Sequence, residues 1–210
     1  MMMIVGSSLL CLLICLPLFM YYKQIARIHL ASLYKSTGTL CAAIPALVAA
    51  IKLDPRCYIC FAGLVLCAIA DYMLEFHELW GAGFFMAGHF CFISFFLQIV
   101  PVSIVHLVTL IALAALFIFT LYRNRKQIGK ALPSFAVYGS ILCLMTASAI
   151  GCLSSFSVRS ILLAAGGSLF FISDFILLHR TIYTAGKTVS WIIMITYYAA
   201  QLLIGFSCLA

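Results

Sequence analysis

Charge is scarce in this sequence. Of 210 residues, twelve are Lys or Arg and five are Asp or Glu, so 8% are charged, against about 25% in a soluble domain. So few charges cannot cover a folded surface in water, which excludes a soluble enzyme. A hydrophobic content of 66% excludes disorder. Several catalytic signatures are also missing. There is no GxSxG elbow, no HExxH and no Walker sequence, so a serine hydrolase, a zinc protease or a nucleotide-driven machine has no support. No basic residue precedes the first apolar run, since the first is Lys23. The basic start of a cleaved targeting segment is therefore absent, and the run reads as a retained helix. The basic residues lie in loops rather than along one face, so no nucleic-acid footprint is present.

What the sequence has is apolar runs along its whole length. They predict an all-α, polytopic membrane protein forming one integral membrane domain, residues 1–210. Eight spans are expected, at about 4–22, 35–51, 57–75, 79–98, 102–121, 132–153, 159–179 and 188–209. With eight, both ends share a side. Nine Lys/Arg (among them Lys23, Arg27, Lys35, Arg123, Lys126 and Lys187) fall on the other side, against Lys52, Arg56 and Arg159 beside the ends. The positive-inside rule then puts the basic side in the cytoplasm and both termini outside it. A bacterial source would imply the inner membrane, a eukaryotic one the endoplasmic reticulum. Most of the ten cysteines lie in apolar runs, where Cys acts as a small hydrophobe. The single CxxC, Cys57 and Cys60, lacks the second pair that a metal site would want.

Rare polar residues recur at an offset of 103. Lys23 pairs with Lys126, Arg27 with Lys130, Arg56 with Arg159, Gly63 with Gly166, Asp71 with Asp174 and Gln98 with Gln201. An offset of four spans preserves orientation, so a parallel 4+4 repeat is expected, with halves of about 1–103 and 104–210. Repeats of this kind often build a site at their interface.

Carboxylates inside spans cost roughly 2.5–3.5 kcal/mol each on insertion scales and are functional by default. Asp71 and Asp174 both fall near the basic-side ends of their spans, at similar depth. Glu75 and Glu78 follow Asp71 at helical spacing, Glu78 reading as a solvated loop acid. His89 is mid-span, which suits a proton carrier, a substrate contact or a hydrogen-bonded interior histidine. Lys35 opens the second span, where a phosphate contact, an Asp partner and a snorkelling anchor all fit. Tyr197 and Gln201 share a face of the last span. A metal site from Asp71, His89 and Asp174 lacks further His or Cys at useful spacing, so no metal is expected.

These residues resemble a known pattern. The stretch from Gly167 through Phe170 to Ser173-Asp174, the terminal Tyr197-Tyr198-Ala199-Ala200-Gln201-Leu202-Leu203-Ile204, Ala70-Asp71-Tyr72-Met73-Leu74 and the Phe85-to-His89 segment are similar to the YhhN family of membrane proteins, which includes the lysoplasmalogenases. Ala70 stands for the family's usual Gly, Ser36 for the Pro after Lys35, and Phe92 for a common Tyr. The resemblance covers nearly the whole chain. It implies an eight-helix hydrolase that cleaves the vinyl ether of 1-alkenyl-glycerophospho-ethanolamine or -choline to a fatty aldehyde and the glycerophospho-base. That chemistry needs an acid, an anion beside the oxocarbenium cation and a positioned water, which two carboxylates can supply, one protonated and one ionised. Asp71 and Asp174 are expected to be that catalytic pair, in either order, with His89 or Gln201 orienting the water. Lys35, Tyr197, Gln201, Glu75 and Ser173 are expected at the substrate, Lys35 on its phosphate. No cofactor is required; the partners are a lysophospholipid substrate and the surrounding membrane lipids. The rival reading is a small proton-coupled transporter or channel, since intramembrane acids and repeated halves serve proton coupling equally.

Overall fold

A computed structural model describes residues 2–183 and 186–210, with side chains from Gly6 onward. Among the described residues the chain is helical throughout, without strands. The first rod is α1 (Met2–Leu10), a π turn (Cys11–Cys15) and α2 (Leu16–Gln24). The π turn sits just ahead of Pro17, whose ring would otherwise meet the carbonyl four residues back. Then follow α3 (Ile28–Lys52), α4 (Cys57–Met73), α5 (Glu78–Ile99), α6 (Ile104–Ile128), α7 (Leu132–Gly151), α8 (Val158–Ile182) and α9 (Lys187–Ser207). Each of the eight stretches expected from the sequence is helical. The largest departures are at α3, which starts seven residues early, and α6, which runs on to Ile128. Both extensions carry polar residues, such as His29 on α3 and Arg123 on α6: a helix can continue past its apolar stretch wherever its side chains reach water.

Among the described residues, six stretches are long and apolar enough to cross a membrane. One of them, residues 104–155, holds both α6 and α7. They are separated by a 3₁₀ turn at Gly129–Ala131, where Gly129 has φ +58°, and Pro133 opens α7. The exterior is apolar. Leu107, Val108, Ile111, Ile118 and Phe119 leave a broad exposed face on α6, which water would not tolerate and lipid would. With its several apolar helices, the protein is an integral membrane protein.

Packing is between sequential neighbours, with two crossings. Helix α3 packs on α4 and α4 on α5; α7 packs on α8 and α8 on α9. The two groups are joined where α5 meets α7 and where α3 meets α9. Small residues allow the second crossing. A Cβ on Gly205 of α9 would run into the main-chain oxygen of Ala42 on α3, so these backbones approach as closely as glycine permits. At the end opposite the basic loops, Asp54 ties the starts of α4 and α8 together. Its carboxylate accepts from Arg56 Nε at 3.0 Å and from Arg159 Nη1 at 3.3 Å. Arg56 also donates to the Gln98 carbonyl at the end of α5, and Arg159 to those of Ser207, the last residue of α9, and Ala210 beyond it.

Candidate active site

Five helices turn an i, i+4 pair toward one region between the two crossings. These are Lys35 and Thr39 on α3, Cys67 and Asp71 on α4, Phe85 and His89 on α5, Phe170 and Asp174 on α8, and Tyr197 and Gln201 on α9. Four residues is a little over one turn, so each pair lies on one face. Tyr138 joins them from α7.

Asp71 has no exposed surface. Its Oδ2 accepts from Thr39 Oγ1 at 2.5 Å and from Tyr197 Oη at 2.7 Å. Lys35 Nζ lies 3.1 Å from Oδ1, its own side chain 13% exposed. A buried carboxylate with an ammonium ion and two hydroxyl donors is compensated as a buried charge must be. Tyr198, beside Tyr197, donates to the Lys35 carbonyl at 2.9 Å, which fixes the backbone that carries the ammonium ion.

Asp174 is placed differently. It is only half-buried, and among the described residues no cation forms an ion pair with it. Its Oδ2 accepts a short hydrogen bond from Tyr138 Oη. The same Tyr138 oxygen lies 3.5 Å from Nε2 of His89. His89 is fully buried, and its other ring nitrogen, Nδ1, has no hydrogen-bond partner among the described residues. Rings connect the two carboxyl groups. Phe170 lies 4.9 Å from the His89 ring and 5.5 Å from Tyr197, and Phe85 is edge-on to His89, Phe170 and Tyr197. Asp71 and Asp174 are thus linked through Tyr197, Phe170, His89 and Tyr138. Gln201, also fully buried, lies against the Cys67 thiol, and among the described residues its amide oxygen and nitrogen have no other partner.

Of the residues expected from the sequence, Asp71, Asp174, His89, Lys35, Tyr197 and Gln201 are brought together. Glu75 and Ser173 are not. Glu75 follows the end of α4 and pairs with Lys23 at 2.5 Å. Ser173 points away from its neighbour Asp174 and donates to the Ile193 carbonyl at 3.0 Å, a tie between α8 and α9. Lys35 is engaged by Asp71 rather than standing free for a phosphate. Sequence reasoning missed Thr39 and Tyr138, and named Phe170 only as part of a motif. Tyr138 had a usable signal: it precedes Asp174 by 36 residues, as Lys35 precedes Asp71. Among the described residues no group of three or more His, Cys, Asp or Glu is arranged to hold a metal ion. The Cys57 and Cys60 thiols face the carbonyls of Cys208 and Ile204 on α9's end.

Two surface cavities open toward the basic loops. One, of about 390 Å³, is lined by Arg27, His29 and Phe76, and the other, of about 320 Å³, by Arg123, Asn124, His179 and Tyr183. Neither reaches the carboxyl pair.

The chain matches the YhhN family over residues 30–208 and belongs to it. The matched region holds every residue of the buried cluster. No curated protein and no solved structure matches the chain.

Proposed function

We propose that this protein is a lysoplasmalogenase-like hydrolase acting on the vinyl ether of 1-alkenyl-glycerophospho-ethanolamine or -choline. The reading is supported by the family, which includes hydrolases, and by one observation above all: two membrane-embedded carboxyl groups in one cluster with contrasting partners. Asp71 faces an ammonium ion and two hydroxyls. Asp174 faces a phenol and keeps some accessible surface. Asp71 is therefore the permanent anion, and Asp174 the acid that reaches substrate.

The chemistry follows from that division. Asp174 delivers its proton to the β-carbon of the vinyl ether, leaving an oxocarbenium cation. Asp71 and the newly formed Asp174 carboxylate stabilise the cation electrostatically in a site that excludes bulk water. Water adds to the cationic carbon to give a hemiacetal, which collapses to the aldehyde and the glycerol alcohol. The division of labour matches that of the two carboxyl groups of glycosidases, which also work through an oxocarbenium-like transition state. The rings of Phe85, Phe170 and Tyr197 offer an apolar, π-faced wall to the alkenyl chain. The polar head stays at the basic end, where Lys23, Arg27 and Arg123 lie.

The architecture proposed for this activity has eight crossings. Residues 104–155 would count twice: at 1.5 Å per residue a straight 52-residue helix spans about 78 Å, more than double the roughly 30 Å hydrocarbon core. The 17 residues of Cys57–Met73 sit at the short limit for one crossing. Both termini lie on the non-cytoplasmic side, and the basic loops in the cytoplasm. The halves form a parallel 4+4 repeat. This is supported by the matching neighbours of α3, α4, α5 and α7, α8, α9, and by the paired reach of Arg56 and Arg159 to the ends of α5 and α9.

The test uses purified protein in detergent with 1-alkenyl-glycerophosphoethanolamine and its saturated 1-alkyl analogue. Aldehyde is expected from the vinyl ether alone. Asp174→Asn is expected to lower turnover by about 10²–10⁴-fold, the usual worth of a positioned general acid. Aldehyde release by a well-folded Asp174→Asn protein at the wild-type rate would remove the acid from its assigned place.

A further inference from the structure

We infer that Tyr138 is a positioning residue that fixes the tautomer of His89, and so makes His89 Nδ1 the base that receives the proton of the attacking water. The inference rests on the hydrolase reading for its chemistry, but not for its geometry.

A phenol has one proton to give. Tyr138 gives it to Asp174 Oδ2. Its oxygen can then meet His89 Nε2, 3.5 Å away, only as an acceptor, so Nε2 carries the N–H. In a neutral imidazole the other nitrogen is then a bare lone pair. That nitrogen is Nδ1, fully buried and without a partner among the described residues. Buried polar atoms are nearly always satisfied, and an unpartnered acceptor calls for an O–H donor. The long Tyr138–His89 contact is of the kind that tightens when substrate fills a site. Neither ring can drift, since His89 is packed against Phe170 at 4.9 Å and Tyr138 at 5.8 Å.

The protons then balance over the cycle. Asp174 gives its proton to the β-carbon. Water forms its C–O bond to the cation while one of its protons passes to His89 Nδ1, which gives an imidazolium. In the collapse of the hemiacetal, Nδ1–H protonates the departing glycerol oxygen as the C–O bond breaks, and the hemiacetal hydroxyl proton passes to the Asp174 carboxylate. His89 is again neutral with its proton on Nε2, and Asp174 is again an acid. Tyr138 touches neither water nor substrate in this scheme; it holds the two proton-carrying groups in one register.

The experiment is nitrogen NMR of ¹⁵N-histidine-labelled protein in micelles, without substrate, with His89→Asn used to assign the signal. A bare Nδ1 and a protonated Nε2 are expected at His89 in the wild type. Tyr138→Phe is expected to lose that fixed tautomer and to lower kcat by about 10²-fold, the cost of a small misplacement of reacting groups, with KM little changed. A protonated Nδ1 in the wild type overturns the inference, whether or not Tyr138→Phe folds. So does a folded Tyr138→Phe protein with wild-type kcat. If the wild type shows the expected tautomer and releases no aldehyde, the hydrolase reading fails while the tautomer assignment stands.

Discussion

At the scale of single residues, the cluster is built on a contrast that one position creates. Thirty-six residues before one aspartate stands a lysine, and thirty-six before the other a tyrosine. The lysine compensates a buried charge; the tyrosine offers only a hydrogen bond. Taking the ammonium ion away should strand Asp71, because removing one partner of a buried pair costs about 3–5 kcal/mol. Lys35→Met is therefore expected to unfold at markedly lower temperature than the wild type in detergent. Lys35→Met with Asp71→Asn should recover most of that loss, since no charge is then left alone. A double variant no more stable than Lys35→Met would mean that the two groups are not coupled. Most of this site was legible in the sequence, because intramembrane acids, a mid-span histidine and a Tyr-x-x-x-Gln face stand out in an apolar chain. Glu75 and Ser173 fall outside the cluster, since sequence neighbours of a clustered aspartate share its address but not its direction: Ser173, one residue before Asp174, is turned by about 100° on the helix. Tyr138 and Thr39 were missed because a hydroxyl near a span end carries no cost that marks it out.

At the scale of helices, the apolar runs were enough to place all eight helical stretches, with ends off by a few residues at most sites. The run of basic and polar residues at the end of α6 does not stop a helix; only the left-handed Gly129 and the following turn do. What periodicity could not supply was which helices touch. The crossing of α3 and α9 depends on Gly205 against the Ala42 carbonyl and on Gly38, where a Cβ would lie 2.7 Å from the Tyr198 ring. Backbone cannot swing aside as a ring can. Gly205→Ala is thus expected to destabilise the protein by at least about 1–3 kcal/mol, the usual cost of overpacking, and Gly38→Ala by less. Thermal unfolding of both in detergent checks the order, and equal stability of Gly205→Ala and wild type would deny the close approach. Since α3 carries Lys35 and α9 carries Tyr197, a forced separation should also weaken the hold on Asp71.

At the scale of the molecule, two groups of helices meet around the cluster and are clamped again at the opposite end by Asp54. The Arg56 guanidinium, and after it that of Arg159, holds the Asp54 carboxyl below its ordinary value of 3.8. A carboxylate lowered on folding adds stability above its unfolded value and loses it as pH falls through the folded one. The clamp should therefore be fully present at neutral pH and lost only in acid, below about pH 4. Asp54→Asn is expected to lower the melting temperature at pH 7 and to show a shallower further loss toward pH 3 than the wild type; parallel curves would show that the clamp contributes nothing. The central claim, however, is the proposal that a carboxylic acid of this cluster protonates carbon. Turnover of 1-alkenyl-glycerophosphoethanolamine in D₂O, with the aldehyde reduced as it forms and weighed by mass spectrometry, tests this most directly. One deuterium at the carbon next to the carbonyl, with both Asp71→Asn and Asp174→Asn inactive, is the result predicted here. Aldehyde without deuterium at that carbon, or none at all from folded wild-type protein, would contradict it.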